Sequence, residues 1–179
     1  MRPPCVALLL LLSACQHVEP AREPDAARPA PPAEAPRAAP ETVPEAVPPA
    51  PSPSAPRVSL VGSRGPASVT VRLALDKESQ EHGLQGVRHL AADEGMLFVF
   101  DDDQDRNFWM KGTPIALDII FINARLEVVG VVRNARAMSE TTRSVGRLSR
   151  SVLEVNAGWA DAHGVDTGAR AAFTNVPLP

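Results

Sequence analysis

Residues 68–75 read SVTVRLAL, and Val69, Val71, Leu73 and Leu75 alternate there with Ser68, Thr70, Arg72 and Ala74. A period of two is the pattern of a strand with one buried and one solvated face. Downstream, residues 77–90 read as a short helix and turn, and GMLFVF at 95–100 is a compact apolar run between a glycine and an aspartate cluster, which predicts a buried strand. Residues 107–111 lead through Gly112, Thr113 and Pro114 into a second apolar run at 119–122. Asn123 and Ala124 then turn the chain into residues 127–133, in outline a β-meander. Residues 151–155 read as another strand, 157–163 as a short helix and 170–173 as a final edge strand. Many short strands with turn signals between them predict a mainly β domain, a small sandwich or barrel with one to three short helices.

Upstream the composition changes. Of the 19 prolines in the 179 residues, 13 lie between Pro20 and Pro56. A stretch of Pro, Ala and Glu with almost no large apolar side chain cannot bury enough surface to offset its ordering entropy, so residues 15–57 are expected to be a disordered tether. Residues 58–179 carry nearly all of the large apolar side chains and form one globular domain. Ahead of the tether, Arg2, an apolar run over residues 6–12 and then Ser13, Ala14 and Cys15 have the layout of a signal peptide over residues 1–14. The run is too short to span a bilayer, which takes about 20 apolar residues. Leu12, Ser13, Ala14 and Cys15 resemble the lipobox of bacterial lipoproteins, which implies that Cys15 is acylated and becomes the first residue of the mature chain. Two or three acyl chains would hold the protein on a membrane, since each buried methylene contributes about 0.8 kcal/mol. Roughly 40 residues of tether in polyproline II form could reach at most about 130 Å from it. Gln16 is not an aspartate, which by resemblance to the enterobacterial sorting rule favours the outer membrane, facing the periplasm or the cell surface.

Within residues 58–179 there are 13 basic and 15 acidic residues, so no nucleic-acid partner is expected. The domain has no cysteine, which excludes disulfides and thiolate metal sites, and His82, His89 and His163 lack ligand spacing. No metal or cofactor is expected. Asp101, Asp103, Asp105 and Asn107 occupy alternate positions as in a calcium loop, but Arg106 stands where such a loop needs glycine and Gly112 where it needs glutamate. A solvated hairpin tip is the expectation for this segment, and solvated loops for it and for the later segment holding Arg133, Arg136, Arg143, Arg147 and Arg150. No phosphate loop, dinucleotide fingerprint or nucleophile-with-base pattern occurs.

Several residues are candidates for a binding site. Trp109 and Met110, beside Lys111 and the turn at Gly112 and Thr113, could form a platform for an apolar or cationic guest. In a domain with few aromatic residues, core packing is the simpler expectation for Trp109. Asp118 between Leu117 and Ile119, and Glu154 between Leu153 and Val155, are carboxylates within apolar strands and must find partners or surface. A structural partner is the expectation for Asp118, and alternation lets Glu154 face water. Asn156, ahead of Ala157 and Gly158, is explained as a helix N-cap.

GMLFVF at 95–100, FWMKGT at 108–113, LDIIFI at 117–122 and VLEVNAGWADAHGV at 152–165, in this order and spacing, resemble the bacterial and archaeal family called domain of unknown function 192. The resemblance covers about residues 81–173. It implies a compact β-sandwich or barrel with short helices, and no established activity. The family usually has Met at position 85, Asn at 112, Pro at 116 and often Asp at 169, where this chain has Gln85, Gly112, Ala116 and Ala169. The expectation for the whole chain is a lipid-anchored cell-envelope protein whose domain binds a small ligand or an envelope partner without catalysis. The alternatives are a hydrolase-like enzyme using Asp118 and Glu154 as acid and base, and a purely structural module.

Overall fold

The computed structural model describes residues 54–179, so the signal peptide, Cys15 and nearly all of the tether lie outside the described residues. The domain is built from seven strands and two short helices in the order β1 (Arg57–Gly62), β2 (Gly65–Ala74), α1 (Lys77–His82), β3 (Glu94–Asp105), β4 (Leu117–Ile122), β5 (Val128–Ala135), β6 (Leu148–Asn156), α2 (Trp159–His163) and β7 (Arg170–Thr174). All seven strands join one sheet in the order β5-β4-β6-β3-β2-β1-β7. The sheet curls until its outer strands meet. The Val128 amide donates to the Ala169 carbonyl at 2.9 Å, the Gly168 amide to Val128 at 2.8 Å and the Ala171 amide to Leu126 at 2.8 Å. A 3.1 Å ion pair between Arg170 and Glu127 crosses the same seam. The mainly β expectation holds, with a curled, barrel-like sheet as its form.

Both faces of the sheet are covered, which is why β4 is buried at every one of its six positions. Alternation sends Val69, Val71, Leu97, Ile120, Leu153 and Val155 to the inside of the curl, where Trp159 and Val165 close it. Met96, Phe98, Leu117, Ile119, Phe121 and Val152 point to the other face, under Leu84, Leu90 and Met110 from the connecting segments. Side chains of this kind each contribute about 1.5–3 kcal/mol on full burial. Phe108 extends the second core through edge-to-face contacts, 5.0 Å from Phe98 and 5.9 Å from Phe121 between ring centroids.

The topology departs from a meander because β6 lies between β3 and β4, so the two apolar runs are not neighbours. β2 and β3 run parallel, connected through α1. β1 pairs with both β2 and β7, although its six residues give little signal beside the Pro-rich segment. At its end a close approach demands glycine: a Cβ on Gly62 would lie 2.5 Å from the His163 carbonyl oxygen. The aspartate-rich segment is no hairpin tip either. β3 continues through Asp105, and Gln104 and Asp105 pair with Ser149 and Leu148 after an irregularity. This brings the acidic segment alongside the end of the arginine-rich one, with Arg150 donating to the Asp101 carbonyl and Ser144 to the Asp105 carboxylate.

Candidate functional site

Glu154 lies midway along β6, directly across from Met96 on β3 and Ile119 on β4. Directly opposed residues share a face, so its carboxyl points toward the second core rather than into the curl. It is only 4% exposed, and no described residue donates a hydrogen bond to it. Burial pushes its pKa from 4.5 up to about 8. The expectation that alternation turns it to water is corrected: a strand covered on both faces has no water-facing side.

The carboxyl lies at a cleft of about 470 Å³, in the size range of small-molecule sites. Three segments wall it. The first is α1 with the turn after it, fixed by a capping box between Asp76 and Ser79 and by the Gln80 side-chain amide, which donates to the Val99 carbonyl at 2.8 Å. The second is the end of β3 with residues 106–109, where the Arg106 guanidinium lies 4.0 Å over the Phe100 ring and pairs with Asp102. This pairing holds the Asp102 carboxylate below its ordinary pKa. The third is the turn carrying Lys111 and Thr113, tied to the first by the Gly86 amide donating to the Gly112 carbonyl at 2.8 Å.

Trp109 is 51% exposed at this cleft, with the Lys111 ammonium 5.4 Å from its ring centroid. The core expectation for Trp109 is therefore corrected. The segment is extended there, so Phe108 and Met110 turn inward while Trp109 turns outward, and Met110 is completely buried. The tryptophan that packs the interior is Trp159, at 7% exposure. Lys111, Thr113 and Glu154 join Trp109 at the cleft, and Met110 lies beneath it.

Asp118 and Asn156 do other work. Asp118 pairs with Val155 and so faces the inside of the curl, opposite to Glu154. It is fully buried, and its two oxygens accept from the Asn134 amide at 2.8 Å and the Ala160 amide at 2.9 Å. It thereby clamps β5 and the first turn of α2 onto β4, as the structural expectation had it. With Asp118 and Glu154 on opposite faces, the two carboxyls share no cavity in which to act as acid and base. Asn156 is not an N-cap: α2 begins at Gly158 without a side-chain cap, and the Asn156 amide donates to the Leu90 and Ala91 carbonyls, both at 2.9 Å. It pins the segment that covers the second core.

Gln80, Phe98, Phe100 and Arg106 belong to the cleft, although nothing in the sequence marks them as site residues beyond the motif spacing around Phe98. A six-residue polar helix carries no periodicity. Two of the departures from the family pattern meet at the rim: a Cβ on Gly112 would lie 2.8 Å from the Gln85 side-chain oxygen. Gly112 has φ +68°, a conformation that asparagine also tolerates, so an asparagine there would require residue 85 to withdraw.

Among the described residues, no group of three or more His, Cys, Asp or Glu side chains is placed to hold a metal ion, and no helix is long and apolar enough to cross a membrane. No curated protein matches the chain. Among solved structures it is similar to a Sinorhizobium meliloti 1021 protein provisionally described as a transcription regulator. That match has 34% identity and TM-score 0.65, covering 68% of this chain and 95% of that one. It is also similar to a protein of unknown function from Novosphingobium aromaticivorans DSM 12444, with 31% identity and TM-score 0.63, covering 65% of this chain and 83% of that one. The model of the domain of unknown function 192 family, described as an uncharacterized ACR, matches residues 59–173. The chain belongs to that family.

Proposed function

We propose that this protein is a lipid-anchored envelope module whose domain binds a small ligand in the cleft at Glu154 and does not transform it. The observation that carries the reading is the carboxyl itself. Glu154 is 4% exposed, accepts no hydrogen bond from a described residue and opens only onto the cleft, so that burial raises its pKa, and a carboxyl placed in this way is completed by a ligand entering the cleft. Aromatic walls at Phe98 and Phe108 and a half-exposed Trp109 at the mouth fit a site that takes a small organic guest. The catalytic alternative lacks its second carboxyl, because Asp118 is spent on two backbone amides on the other face. The regulator description belongs to the Sinorhizobium protein. For this domain, 13 basic against 15 acidic residues favour no nucleic acid.

The envelope placement rests on the sequence Leu12, Ser13, Ala14, Cys15 and on the Pro-rich tether. An amide-detected NMR screen of small organic fragments tests the binding reading. Hits are expected to shift the Trp109 indole and the amides of residues 83–85, and to weaken in Trp109→Ala. Hits confined to other surfaces, or turnover of a hit, would overturn it.

A further inference from the structure

Resting on that small-ligand reading, we infer that the group received at Glu154 is an organic ammonium, seated between the carboxyl and the aromatic walls of Phe98, Phe108 and Trp109. The other charged side chains at the cleft are already engaged. Lys77 is 3.7 Å from Glu81, Arg106 pairs with Asp102 over Phe100, Asp105 accepts from Ser144, and Lys111 lies over Trp109. His82 is exposed at the mouth. Met96 and Ile119, on the strands flanking Glu154, carry no charge. Glu154 is thus the one buried ionisable side chain at the cleft without a partner among the described residues, His82 being exposed to solvent, and it offers only acceptors once ionised. An ammonium supplies donors and the opposite charge together, and ring faces attract cations as they desolvate. An anion would meet the ring faces with the wrong sign and would gain nothing from ionising Glu154.

The proton balance makes the inference distinctive. Because burial holds Glu154 neutral up to about pH 8, binding a cation at neutral pH releases one proton from Glu154 to solvent. Affinity for an ammonium should therefore rise about tenfold between pH 6 and pH 7, whereas affinity for a neutral guest should not.

Three probes of similar shape separate the outcomes when titrated into the full-length chain and followed at the Trp109 indole by NMR: benzylammonium, benzyl alcohol and benzenesulfonate. Benzylammonium alone is expected to bind, with that pH dependence, and Glu154→Gln should weaken it at least about tenfold. The glutamine retains the shape of the neutral carboxyl, and its amide spectrum checks its fold. The wild-type pH series stands as a test if that variant does not fold. Binding of benzyl alcohol or benzenesulfonate at the cleft without benzylammonium would overturn the ammonium inference and leave the small-ligand reading intact. Silence from all three probes would count against both. Benzylammonium binding that ignores pH or survives Glu154→Gln would place the cation elsewhere and overturn the inference.

Discussion

Glu154→Gln also isolates an electrostatic cost that the wild-type fold carries alone. With the carboxyl pushed from 4.5 to about 8 by burial, the native protein holds a proton between those values that the unfolded chain has already released. A native state that binds more protons loses stability as pH rises, so the loss begins near pH 4.5, grows through neutrality and levels off above about pH 8. At about 1.4 kcal/mol per pH unit the accumulated loss approaches about 5 kcal/mol. That is comparable with the whole stability of many small domains, about 5–15 kcal/mol. Glutamine cannot ionise and removes this dependence, while every other titrating group is common to both proteins and cancels in the comparison. Urea unfolding at pH 5, 6, 7 and 8, followed by the fluorescence of the buried Trp159, should show the variant gaining on the wild type by about 1.2 kcal/mol per step up to pH 7 and about 1 kcal/mol from pH 7 to 8. Parallel stability profiles across that range would refute a desolvated, unpartnered Glu154.

The two tryptophans should part company in urea unfolding followed by circular dichroism, which needs neither ring. Trp159→Ala is expected to cost about 3–5 kcal/mol, and Trp109→Ala below about 1 kcal/mol; a large loss at Trp109 would mean that the exposed ring is packing after all. Asp118→Ala strands the amides of Asn134 and Ala160 and should lower stability by about 3 kcal/mol, with hydrogen exchange at Ala160 accelerating. If instead Asp118→Ala unfolds at wild-type urea concentrations, the clamp is not structural. Cys15→Ala should move the protein from the detergent-rich to the aqueous phase, and unchanged partitioning would remove the lipid anchor from the proposal.

Strands whose pattern is local were legible. The alternation in β2, the bounded apolar runs of β3 and β4 and the motif at the end of β6 each state their own conformation within a few residues. What was lost depends on neighbours distant in sequence. Nothing in residues 95–122 says that β6 will insert between β3 and β4, because register is decided by partners some 30–60 residues away. The same holds for the site. Trp109 could have been placed outward from the alternation of Phe108, Trp109 and Met110, but scarcity of aromatic residues argued the other way. Glu154 was singled out for the right reason, a carboxylate in an apolar strand. Its setting followed from the segments around residues 84–90 and 107–113 folding over the second face, which composition does not disclose.

β1 is held between β2 and the last strand of the chain, with Arg57 opposite Thr174. A polypeptide made from its N-terminus therefore has no partner for the outer side of β1 until residues 170–174 exist. The centre of the sheet must likewise wait for β6 to reach β3. Pairings this remote in sequence slow folding to the order of milliseconds to seconds, because the intervening loops must close before any contact rewards them. In a chain exported as proposed here, that delay would keep residues 57–169 threadable through a translocation channel. On that proposal the native sheet would zip on the far side of the membrane, once Thr174 has arrived to complete it.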